Sequence, residues 1–62
     1  MSTKENDVWL ENAKDNFDDA VNVKNYAHAM AIIGDVKDRG FDKEARILAF
    51  ELRNIQFSHE QN

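Results

Sequence analysis

Apolar positions recur along this chain with helical spacing. Leu10, Ala13, Phe17, Ala20 and Val21 fall at i, i+3, i+7, i+10 and i+11, which is one face of a helix. The pattern predicts a first helix from about Asp7 to Val21, with Asn6 or Asp7 as N-cap and Trp9 at the edge of the apolar face. Around Asn22-Val23-Lys24-Asn25 the stripe loses phase, so a break is expected there, with one continuous helix as the alternative. Asn25 suits the N-cap of a second helix, Tyr26 to about Arg39. Gly40 stands where a C′ glycine belongs, just after Lys37 and Arg39, whose charge suits a helix C-terminus. A third helix is expected from Asp42, as N-cap, to about Ile55.

The second helix is apolar on nearly every side. Tyr26, Met30 and Ile33 form one stripe, Ala29, Ile32 and Val36 a second, and the small residues Ala27, Ala31 and Gly34 a third. Such a helix needs cover from several directions, which makes it the central one. Its small-residue side would admit another helix at close range. The third helix has two apolar faces: Ala45, Leu48, Ala49, Leu52 and Ile55 on one, and Ile47, Phe50 and Phe57 roughly opposite. Three short helices cannot easily bury both faces within one chain, so the second face is expected either to be covered by self-association or to leave Ile47 and Phe50 half-exposed. The expected architecture is therefore an all-α three-helix unit whose second and third helices form a hairpin, packing with a second copy into a dimeric helical bundle. Residues 7–57 would make up the single domain, between flexible tails at 1–6 and 58–62.

Size and composition sharpen this. A chain of 62 residues holds one small domain of marginal stability, and with no Cys it has no disulfide or thiolate–metal staple. No apolar run is long enough for a signal peptide or a membrane span, and with no tag-like run at either end the sequence reads as a complete short reading frame. The cytoplasm is the expected compartment. The net charge of −4 argues against non-specific binding to nucleic acid or anionic membrane.

Candidate chemistry is sparse. Ser2, Thr3 and Ser58 lie in the expected tails, where catalytic geometry is hard to hold, which leaves Tyr26. His28 has Lys24, Asn25, Ala31 and Ile32 at i±3 and i±4, so the paired ligands of a helical zinc motif are missing; His59 stands in the C-terminal tail. No glycine-rich phosphate loop occurs. No catalytic, metal or cofactor-binding residue is assigned, and the chain reads as non-enzymatic.

Charge is patterned. Asp7, Glu11, Asp15, Asp18 and Asp19 recur at three- and four-residue spacing along the first helix, interrupted by Lys14. The stripe reads as a solvated face that also favours the helix dipole, or as a mimic of nucleic-acid phosphates that docks a basic partner. Lys43, Arg46 and Arg53 share a face of the third helix and could touch phosphate, but Asp42, Glu44 and Glu51 lie among them and no exposed aromatic series accompanies them.

Gly40-Phe41-Asp42-Lys43-Glu44-Ala45, with Ile32-Ile33-Gly34 before it and Leu48-Ala49 and Leu52 after it, resembles a tetratricopeptide-type helical hairpin over Tyr26 to Leu52. Gly34 lies one place off that pattern, Asp42 stands where an aromatic is expected, and the chain is too short for three repeats. The resemblance would imply peptide binding in a groove, and it reads as convergence on one way of packing a hairpin.

The expectation is a small interaction or regulatory protein, in a size class that includes phage accessory and inhibitor proteins. It would act on a protein partner and form a dimer. Ile47, Phe50 and Phe57 supply the apolar contact, and Trp9 is either an aromatic anchor or a plain core residue. A nucleic-acid-linked role, through the acidic first helix or the basic side of the third, is the alternative.

Overall fold

A computed structural model describes the backbone of residues 2–61 and the side chains of residues 4–58. The chain forms three helices, α1 (Ser2–Asn22), α2 (Tyr26–Asp38) and α3 (Asp42–Gln61), with no strand among the described residues. The break at Asn22 to Asn25 separates α1 from α2, as the loss of phase predicts.

Both turns are built alike. At the first, the Lys24 N–H donates to the Val21 carbonyl (3.0 Å) and the Asn25 N–H to that of Ala20 (2.8 Å). At the second, the Gly40 N–H donates to Lys37 (2.9 Å) and the Phe41 N–H to Val36 (3.2 Å). These are paired Schellman closures, and each needs a left-handed residue at C′. Gly40 takes it at φ 97°, while at the first turn Lys24 takes it at φ 62°. In both, the next residue opens the following helix: the Asn25 carbonyl accepts from Ala29 and that of Phe41 from Ala45. Asn25 caps α2 as expected, its Oδ1 accepting from the His28 N–H at 3.3 Å. Phe41, and not Asp42, holds the capping place of α3, so Asp42 is the first helical residue, where its charge suits the helix dipole.

The helix ends also differ from the sequence cues. α1 starts at Ser2, ahead of the Asn6–Asp7 cap, and α3 runs to Gln61, past Ile55. Neither extension contains Gly or Pro, so nothing stops the backbone, although no apolar period marks it in the sequence. Met1 and Asn62, at the ends of the expected tails, lie outside the described residues.

Each helix gives three residues to the core: Ala13, Phe17 and Ala20 from α1, Ala29, Ile32 and Val36 from α2, and Ala45, Leu48 and Leu52 from α3. Ala13, Ala29 and Ala45 recur at a constant spacing of sixteen residues, and Ala20, Val36 and Leu52 repeat it. The spacing fits one helix plus one turn, so equivalent positions meet in successive helices, and the alanines let the backbones approach closely. α2 packs against both neighbours, as its composition predicts, but its Ala27, Met30, Ala31 and Gly34 side is exposed. The two neighbours converge on a single stripe, Ala29, Ile32 and Val36, so the opposite side of α2 receives neither. Lys14 of α1 meets Glu44 of α3 across the top of this stripe, at 3.4 Å. The whole measures 47 × 19 × 13 Å.

Candidate interaction surface

The second apolar face of α3 is left uncovered. Leu48 and Leu52 turn inward at 5% and 4% exposure, whereas Ile47, Phe50 and Phe57, on the opposite side, are 47%, 64% and 59% exposed. Helical geometry forces this division, because positions three and seven apart share a face and α2 packs on the other one. Single exposed apolar residues are ordinary, but three large ones in line on one helix form a patch. Lys43, Arg46 and Arg53 are exposed alongside, and Glu51 borders the other flank.

Trp9 occupies a different place. It is half-buried against the core, its ring stacked on Phe41 with centroids 6.0 Å apart and planes 9° from parallel. The Arg39 guanidinium carbon lies 4.3 Å from the centre of the indole. This cluster joins α1 to the α2–α3 turn and sits apart from Ile47, Phe50 and Phe57, so the four residues expected to form an interface are not brought together. Nothing in the sequence pairs Trp9 with Arg39; for Phe41 the one cue is that the residue after a C′ glycine commonly packs back on the preceding helix.

Asp7, Glu11, Asp15, Asp18 and Asp19 are all exposed on the side of α1 away from Phe17 and Ala20. Lys14, which interrupts the acidic run in sequence, is directed to Glu44. The structure therefore gathers the carboxylates onto one outward face and ties the intervening cation to α3.

Large apolar residues are also exposed outside α3. Met30 is 61% exposed, Val8 58% and Val23 73%. Met30 lines a shallow groove between α2 and α3 with Ile33, Ala49, Leu52, Arg53 and Gln56, so it approaches the flank of the α3 patch through Arg53. Met30 is open because α2 is covered along the Ala29, Ile32 and Val36 stripe and not all round.

The candidate chemical groups stay scattered. His28 is exposed, Tyr26 is half-buried and shares an open groove with Asn54, Ile55 and Ser58, and no described group of three or more His, Asp or Glu is placed to hold a metal. The Ser2 and Thr3 hydroxyls and the His59 imidazole lie outside the described side chains. No described helix is long and apolar enough to cross a membrane. Compared with protein families, curated proteins and solved structures, the chain matches none, so the tetratricopeptide resemblance carries no family assignment.

Proposed function

We propose that this chain is a small non-enzymatic interaction protein whose α3 outward face is a docking surface, pairing copies into a dimeric helical bundle that binds and regulates a protein partner. The observation that carries the reading is the exposure of Ile47, Phe50 and Phe57 in one line while Ala45, Leu48 and Leu52, on the opposite side of the same helix, are buried. In a domain this small, leaving three such side chains in water forgoes a large share of the available hydrophobic stabilisation, and covering them recovers it. The absence of Cys suits a reducing cytoplasm.

The test is solution mass by sedimentation, together with partner capture, for the wild type and Phe50→Glu. The expected result is a concentration-dependent dimer that Phe50→Glu converts to a folded monomer. A wild type monomeric up to about 1 mM, the limit of weak specific association, whose captured partners are all retained by Phe50→Glu, overturns it.

A second reading draws on the acidic face of α1, from which Lys14 is withdrawn by Glu44. There Asp7, Glu11, Asp15, Asp18 and Asp19 would dock a basic surface that otherwise holds nucleic-acid phosphates. Reversing Asp15 and Asp18 to Lys should abolish that binding, and binding that survives the reversal rejects it.

A further inference from the structure

The exposed face of α3 carries the pattern of a coiled-coil seam. Written in heptads abcdefg, Ile47 and Asn54 fall at a, Phe50 and Phe57 at d, Arg46 and Arg53 at g, and Glu51 and Ser58 at e. The residues α3 buries in its own domain, Ala45, Leu48 and Leu52, fall at f, b and f, on the opposite side. Ile47, Phe50 and Phe57 are therefore left unpacked by the fold, while Asn54 and Ser58 are exposed at the edge of the open groove beside Tyr26.

Charge decides how a second α3 would lie there. In a parallel, in-register pair each g residue meets the e residue of the following heptad on the other helix. Arg46 then faces the partner subunit's Glu51, twice by symmetry, and Arg53 faces the partner subunit's Ser58. In an antiparallel pair a faces d, g flanks g and e flanks e. With Ile47 against the partner subunit's Phe57, Arg53 would meet the partner subunit's Arg53 and Glu51 the partner subunit's Glu51, so both charged flanking contacts are between like charges. Among the described residues Arg46, Arg53 and Glu51 make no ion pair within the chain. Asn54 adds a second argument. A single Asn at an a position fixes register at some cost in stability, because its amide is satisfied only by its own counterpart across the axis.

We infer that the occupant of this face is a second copy of the chain, its α3 lying parallel and in register, with Asn54 against the partner subunit's Asn54 and Arg46 paired to the partner subunit's Glu51. The inference rests on the docking and pairing role proposed for α3 and adds the direction and register of the pair. The seam from Arg46 to Ser58 spans only two heptads, about 20 Å of helix, so the pairing is weak and reversible. It leaves the acidic face of α1 outward on both copies.

Since the chain has no Cys, Asn54→Cys introduces a unique thiol at the axis. In a glutathione redox buffer most of this variant should become disulfide-linked dimer, while Asp15→Cys on the outward side of α1 stays largely unlinked. Arg46→Glu and Glu51→Lys, each alone, should weaken association roughly tenfold by placing like charges across the seam. Mixing the two should restore it, because the mixed pair carries two opposite-charge contacts. A wild-type dimer whose Asn54→Cys links no better than Asp15→Cys overturns the parallel register and leaves the docking role standing. A monomeric wild type overturns the pairing itself, and partner capture by Phe50→Glu then decides the docking role separately. Failure of the mixed pair to recover, with both variants still helical by circular dichroism, also overturns the register.

Discussion

The indole of Trp9 lies parallel to the ring of Phe41, with centroids 6.0 Å apart, and it is this contact that anchors the start of α1 to the turn between α2 and α3. Arg39, at 4.3 Å from the indole centre, adds a cation to the same ring. Trp9→Ala is expected to lose about 2 kcal/mol, less than a fully buried Trp because the ring is half exposed. Trp9→Phe should retain most of the stability, and Arg39→Ala should cost under about 1 kcal/mol. Urea denaturation followed by circular dichroism checks the series. A Trp9→Ala variant as stable as the wild type would mean that α1 holds its place without this contact.

The two turns give a matched pair of substitutions with opposite signs. Lys24 holds a left-handed conformation at φ 62° that Gly adopts without the Cβ clash, so Lys24→Gly is expected to stabilise by up to about 1 kcal/mol. Gly40 holds φ 97°, and although a Cβ there would meet nothing within 4 Å, Gly40→Ala should cost about 1–2 kcal/mol from backbone strain alone. Thermal melts of both variants read the contrast, and two shifts of the same sign would contradict the shared turn geometry.

Gly34 lies inside α2 on its exposed side, where an added Cβ meets nothing within 4 Å. Gly34→Ala is therefore expected to stabilise by about 0.5–1 kcal/mol, raising Tm by several degrees in a domain of this size. A drop in Tm would show that the small-residue side of α2 is covered in solution.

Phe17 and Phe50 separate packing from docking. Phe17 is 2% exposed at the centre of the core, and Phe17→Ala should cost about 3–5 kcal/mol, enough to unfold a marginal domain. Phe50 is 64% exposed, and Phe50→Ala should change the stability of the isolated chain by no more than about 0.5 kcal/mol while weakening self-association. Stability measured in dilute solution and mass measured in concentrated solution distinguish the two effects. Equal losses in both variants would place Phe50 in the core.

Much of the fold is legible in local chemistry. The period of Leu10, Ala13 and Phe17, the cap at Asn25 and the left-handed glycine at Gly40 each act within a turn or two of chain, so they can be read without knowing what lies across the domain. The positive φ of Lys24 is not legible in this way, because a lysine carries no mark of it; the closure from Asn25 to Ala20 imposes it. The extension of α1 to Ser2 and of α3 to Gln61 was likewise hidden, since polar helices without an apolar face leave no periodic signal.

The candidate surface divides along the same line. That α3 has two apolar faces follows from its sequence, and so does the acidic stripe of α1. Which α3 face is buried depends on where α2 stands, and it packs on the side of Leu48 and Leu52, leaving Ile47, Phe50 and Phe57 in water. Trp9 shares its helical face with the core residues of α1, yet only the approach of the α2–α3 turn could give it Phe41 and Arg39 as neighbours. Lys14 reads in sequence as an interruption of the acidic run and becomes, in three dimensions, the partner of Glu44. The sequence by itself determined the number of helices, their central member and the residues able to be buried, because these depend on period and capping. The tertiary structure decided which of those residues are buried, because burial is a property of the neighbour that arrives and not of the face that awaits it.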